Sequence, residues 1–306
     1  MTRAGAEGLT DRLSYLSVIT PIIFGTTYLL TTNYLPPDRP LLAATVRSLP
    51  TGLVLILGVK RPPRGWRLKF LALSFLYCSA VFPLLFIAAA RLPGGVAAVV
   101  NSITPIVVVV LSVPWLHTRI RATHVIAGLL AVFGVALLVL RSSARLDAWG
   151  LVAMTAYVIM YSAATVLTKR WGWPAGMSAR GFTGWTFLIG GLTLLPVMCL
   201  AEGLPEHLSA RNLGGLVYLF VFSGVVAYTL WFWGLERLPA TSVSFLSLVN
   251  PVVAAALGWV ILGQRLNTWQ LLGAVIVLAS VLLGQDLSSR RRIATTARSG
   301  SERAGR

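Results

Sequence analysis

Apolar runs long enough to cross a bilayer succeed one another along the whole chain, separated by short polar breaks. They occupy roughly 14–32, 40–59, 68–90, 94–116, 123–140, 148–168, 179–200, 211–233, 239–262 and 268–286. A helix needs about 20 apolar residues to traverse the hydrocarbon core, so each run predicts one transmembrane helix. The breaks carry turn and charge signals, as in Leu35-Pro36-Pro37-Asp38-Arg39-Pro40 and Lys60-Arg61-Pro62-Pro63-Arg64. The pattern predicts an all-α integral membrane fold of ten helices. Glu7 and Asp11 precede the first run and no small-x-small cleavage pattern follows it, so it is expected to be retained and not removed as a signal peptide.

Composition excludes a soluble alternative. The 306 residues are 56% hydrophobic and 11% charged, against about 25% charged in an ordinary soluble domain. A formal charge of +17 would suggest nucleic acid in a soluble protein. Here the Lys and Arg sit between apolar runs and in a short tail, where a lipid bilayer is the partner they fit, and no nucleic-acid partner is expected. With the N-terminus inside, cytoplasmic segments hold 19 of the 26 basic residues, outer loops hold 6, and Arg47 lies within a span. This asymmetry predicts a multi-pass protein of the cell inner (cytoplasmic) membrane with both termini cytoplasmic. Trp66, Trp115, Trp171, Trp173, Trp231 and Trp233 fall near inner ends, and Trp149, Trp259 and Trp269 near outer ends, as an interfacial belt does. Residues 1–13 form a cytoplasmic N-terminus and 287–306 a disordered basic tail.

The chain also repeats itself. Residues 86–119 align with 232–265 at a constant offset of 146, placing Arg91-Leu92-Pro93 on Arg237-Leu238-Pro239, Pro105 on Pro251 and Arg119 on Arg265. Five crossings per half is an odd number, so the second half, 148–286, enters the membrane from the side opposite to the first, 14–140. Two inverted five-helix repeats are an architecture of secondary transporters, whose solute site lies near the midplane between the halves.

TGWTFLIGGLTLLPV (183–197), SGVVAYTLWFWGLERLPATSVSFLSLVNPVVAAALGWVILGQRL (223–266), QLLGAVIVLASVLLG (270–284), FGTTY (24–28) and the early Arg47 of the second span carry a family likeness. On these the chain resembles the ten-helix, EamA-type branch of the drug/metabolite transporter superfamily. The resemblance implies two tandem repeats, a central cavity and, in most members, export of small metabolites or drugs.

Several residues are candidates for that cavity. Asn101 and Thr104 align with Ser247 and Asn250, each pair at i, i+3 on one helical face, and Ser244 extends the second stripe. Amides and hydroxyls facing lipid cost several kcal/mol each, so the stripes face a cavity or a packed helix interface. Pro105 and Pro251 follow the stripes and each frees a backbone carbonyl one turn earlier, as a hinge or as a kink. Arg47 is the one ionisable residue well inside a span. It either offers its guanidinium to a solute carboxylate or snorkels to the outer surface. Tyr28, Tyr77, Tyr157, Tyr161 and Tyr228 either wall the cavity or pack with one hydrogen bond each.

The remaining expectations are negative. None of the nine acidic residues falls mid-span, which disfavours carboxylate-relayed proton coupling and favours a facilitative carrier or exchanger. Cys78 and Cys199 lie within apolar runs without metal-ligand spacing, so no metal and no cofactor is expected. An enzyme would need a nucleophile with its base, a metal cluster or paired carboxylates, none of which the chain presents. The reading is a transporter of small molecules, amino acids leading and lipophilic or cationic drugs following, working as a monomer or homodimer. A channel is the remaining alternative.

Overall fold

The computed structural model describes residues 19–27, 30, 33–37, 39–92, 94–139, 147–205, 207–262 and 267–284. The expected N-terminal segment 1–13 and basic tail 287–306 lie outside them, as does Tyr28. Every regular element among the described residues is helical. In chain order these are α1 (19–27), α2 (Pro40–Leu55), α3 (Arg64–Arg91), α4 in two pieces (Gly94–Asn101 and Thr104–Leu116), α5 (Ala122–Val139), α6 (Ala148–Trp171), α7 (Ala179–Ala201), α8 (Ala210–Arg237), α9 in two pieces (Ala240–Leu246 and Val249–Leu262) and α10 (Thr268–Gly284).

Among the described residues six helices are both long and apolar enough to cross a membrane: α3, α4, α6, α7, α8 and α9. Shorter apolar helices cover Pro40–Leu55, Ala122–Leu138 and Thr268–Gly284. Large apolar side chains point outward, with Leu200 90% and Leu282 73% exposed. A surface so dominated by aliphatic side chains is stable against hydrocarbon and not against water.

The helix starts follow sequence chemistry. Asp147 accepts a bond from the Gly150 amide at 2.6 Å and Ser178 one from Gly181 at 3.3 Å, capping α6 and α7. Ser209 and Asn212 form a reciprocal capping box at the start of α8. Each satisfies backbone donors that the first helical turn leaves unpaired.

Two helix pairs, α2 with α7 and α5 with α10, pack along their lengths. Glycine permits the approach: a Cβ on Gly191 would lie 2.5 Å from Leu49 Cα, and one on Gly273 would lie 2.6 Å from the Gly134 carbonyl. At one end of the α2–α7 pair the Glu202 carboxylate accepts the Leu41 and Leu42 amides at 2.7 and 2.8 Å. Arg39 donates there to the carbonyls of Glu202 and Gly203.

Regular α-helix gives way at four places that bear on the site. In α3 residues Phe75–Ser79, and in α8 residues Leu219–Ala227, are π-helical. The expected continuous spans 94–116 and 239–262 are interrupted at Ser102–Ile103 and Ser247–Leu248. Pro105 and Pro251 explain the interruptions, because neither can donate to the carbonyl four residues back. For Pro251 that carbonyl, of Ser247, is not left free as the sequence suggests: the Asn250 amide takes it at 3.0 Å in a tighter turn.

Trp149, Trp259 and Trp269 are exposed, as belt residues are, whereas Trp231 is buried with its ring 5.5 Å from that of Tyr161. The expectation of an interfacial role fails for Trp231, because helix packing turns it into the bundle.

Candidate functional site

α1, α2, α3, α4, α6, α8 and α9 surround one cavity, lined by Phe24, Thr27, Arg47, Leu85, Phe86, Ala89, Asn101, Thr104, Tyr157, Tyr161, Tyr228, Ser247 and Asn250. It encloses about 670 Å³ of empty space including its mouth, of which about 50 Å³ can hold the centres of water-sized molecules. One water needs roughly 10–15 Å³ on that measure, so the interior has room for a few waters or a small solute.

α2 supplies the only cation of the lining among the described residues. Arg47 is 2% exposed, and its Cζ lies 4.6 Å from the ring centre of Phe82, 5.1 Å from Tyr228 and 5.4 Å from Phe24. It does not snorkel to the surface. Its Nε and Nη1 are buried without a hydrogen-bond partner. The π segment of α8 helps to set this geometry. Thr51, one turn beyond Arg47, donates to the Phe220 carbonyl at 3.3 Å, and Gly224 leaves the space that the Thr51 hydroxyl occupies. Tyr228 begins the regular helix immediately after that segment.

The breaks in α4 and α9 carry the amides. Asn101 accepts from the Thr104 hydroxyl at 3.1 Å, so part of its polarity is spent locally. Asn250 is 8% exposed and its Oδ1 is buried without a partner. Ser247 and Ser244 donate to carbonyls three residues back, of Ser244 and Thr241, both at 2.7 Å. Ser247 lines the cavity, whereas Ser244 lies off it at 1% exposure.

The tyrosines take different places. Tyr157 and Tyr161 stack at 5.7 Å with 9° between their planes and line the cavity, as Tyr228 does. Tyr77 is fully buried behind Tyr161, with its hydroxyl 3.3 Å from that of Thr168. It packs in the second of the two ways the sequence allowed. From Tyr77 a run of ring contacts leads through Phe232 and Phe182 to Trp173, Phe70 and Trp66. That aromatic layer fills the bundle at the end where α3 begins and α6 finishes.

The structure thus gathers Arg47, Asn101, Thr104, Ser247, Asn250, Tyr157, Tyr161 and Tyr228 around one space. Pro105 and Pro251 lie beside it at the helix breaks. Phe24, Thr27, Leu85, Phe86 and Ala89 complete the lining without having been singled out from the sequence. Phe24 and Thr27 had a signal, since both belong to FGTTY. Leu85, Phe86 and Ala89 had none, being apolar residues in an apolar run. Among the described residues no group of three or more His, Cys, Asp or Glu side chains stands close enough to hold a metal ion.

Among the described residues six helices of lipid-crossing length, five of them lining a buried, partly polar cavity, define a membrane protein with room for a small solute. The chain belongs to the EamA-like transporter family, which matches residues 13–140 and 148–284, and so to the drug/metabolite transporter superfamily. It is 41% identical over 283 residues to Protein PecM of Dickeya dadantii, covering 92% of this chain and 95% of that one. It is 25% identical over 290 residues to a probable amino-acid metabolite efflux pump of Salmonella typhimurium, covering 88% of this chain and 93% of that one. A crystal structure at 18% identity superposes with a TM-score of 0.74 over 92% of this chain and 98% of that one. At that identity it speaks to the fold alone. The protein is a multi-pass membrane transporter.

Proposed function

We propose that the chain is a secondary transporter that moves small polar metabolites such as amino acids out of the cell by alternating access through the central cavity. The observation that carries this reading is the pairing of repeat-related positions on one space: Asn101 with Ser247 and Thr104 with Asn250, 146 residues apart, all line it. A site shared by two repeats is the arrangement in which rocking one repeat against the other exposes the solute to alternate sides.

On this reading ten crossings form two inverted five-helix repeats, 14–140 and 148–286, with both termini cytoplasmic in the inner membrane. Three features support the repeat. The family matches twice, once in each half. The π segments of α3 and α8 are centred 146 residues apart, at Tyr77 and Ser223. The helix breaks before Pro105 and Pro251 also correspond within one residue. Export and amino acids draw support from the Salmonella relative's name. Lipophilic drugs fit less well, because the interior is small and interrupted by amides and hydroxyls.

The test is efflux of labelled amino acids and related metabolites from liposomes holding the purified protein. Saturable efflux above that of protein-free vesicles is expected. Efflux confined to lipophilic cations would overturn the metabolite assignment.

A further inference from the structure

Arg47 poses an electrostatic problem that the protein itself does not solve. A guanidinium stays protonated at any physiological pH. Burying one without an anion costs several kcal/mol. Contact with Phe24, Phe82 and Tyr228 recovers part of that cost through the ring faces. Those contacts leave the Nε and Nη1 donors unmatched.

No carboxylate is available to them among the described residues. Asp147 caps α6, Glu202 binds the amides of Leu41 and Leu42, and Glu236 bonds Arg237 at the end of α8. None lines the cavity. Ionisable residues inside a membrane helix usually pair with one another or with backbone carbonyls, and among the described residues Nε and Nη1 of Arg47 have neither partner.

Resting on the cavity as the solute site, we propose that the carried solute is an organic monoanion, a carboxylate on an apolar or aromatic body, whose carboxylate pairs with Arg47. The rest of the lining suits such a body. Leu85, Phe86 and the parallel Tyr157 and Tyr161 rings offer apolar and stacking faces, and the unpartnered Asn250 Oδ1 accepts one further donor. A free amine finds no carboxylate there. A zwitterion pays to desolvate its ammonium group, so a plain acid is preferred over its amino-acid counterpart.

The experiment measures binding by quenching of intrinsic tryptophan fluorescence in the purified protein, using four ligands of one shape: phenylacetate, phenylacetamide, phenethylamine and phenylalanine. Wild type is expected to bind phenylacetate at least about tenfold tighter than phenylacetamide, as a charge-assisted hydrogen bond formed away from water predicts. It should bind phenethylamine more weakly still, and phenylalanine less tightly than phenylacetate. In Arg47→Gln the ratio of acid to amide affinity should fall to about one, and Arg47→Lys should keep part of it. Equal affinity for acid and amide in wild type, tighter binding of phenylalanine than of phenylacetate, or an undiminished ratio in Arg47→Gln would each overturn the monoanion assignment. The wild-type comparison stands even where Arg47→Gln does not fold. Liposomes that move no metabolite while the acid preference persists would overturn the carrier reading alone.

Discussion

The Arg47 guanidinium carbon lies 4.6 Å from the centre of the Phe82 ring, buried inside the bundle. α2 brings the cation and α3 the ring, and Phe82 in turn touches Phe187 of α7 and Tyr228 of α8. A buried charge is thereby tied into the tertiary packing of four helices.

Phe82→Leu should therefore destabilise the protein through two separable effects. The lost aromatic volume acts in any background, while the cation–π part, about 0.5–2 kcal/mol, acts only when residue 47 is cationic. A double-mutant cycle with Arg47→Met, read as apparent Tm in detergent, should show the Phe82 substitution costing less in the Arg47→Met background. An additive cycle would show that the ring serves packing alone.

The two asparagines should respond differently to Ala. Asn250 Oδ1 has no partner to lose, so Asn250→Ala should leave Tm unchanged or slightly raised while cutting metabolite efflux about tenfold. Asn101→Ala also strips the Thr104 hydroxyl of its acceptor, so it should lower Tm as well as efflux. Efflux that follows Tm in both variants would assign the pair to packing.

Orientation can be read with cysteine. In a Cys199→Ser background, where the buried Cys78 stays unreactive, Gly65→Cys should resist a membrane-impermeant thiol reagent in intact cells and Leu204→Cys should react. The reverse pattern would invert the topology that the basic residues indicate.

The membrane class and the polar residues that line the cavity were legible because each departs from its background. An Arg or Asn inside an apolar run stands out at once, and its burial cost forces it inward. What stayed illegible depends on which way an apolar helix face turns. Leu85, Phe86 and Ala89 on the cavity, Trp231 turned inward and Tyr77 behind Tyr161 all sit in runs that are apolar on every side. The aromatic enclosure of Arg47 was hidden for the same reason. Phe24, Phe82 and Tyr228 come from three helices, and nothing in their own runs marks them as neighbours.

Coupling follows from which groups can change charge. A proton that travels with each solute needs a group that is protonated facing one side and deprotonated facing the other, and in membranes Asp, Glu or His usually serves. Among the described residues the cavity lining holds none of these. A pH gradient therefore has no handle on the cavity. On the proposed alternating-access cycle a bound anion compensates the charge of Arg47, whereas with the cavity empty the bare cation has to be carried through the transition between the two open states. Return of the loaded protein should be faster than return of the empty one, which makes exchange the favoured mode. In liposomes, unlabelled solute on the far side should speed the release of labelled solute several-fold. Imposing or collapsing a pH gradient should change the initial rate little once solute charge and membrane potential are clamped. Accumulation driven by a pH difference alone and abolished by a protonophore would overturn this account, and the three tyrosines of the lining, Tyr157, Tyr161 and Tyr228, would be the first residues to substitute.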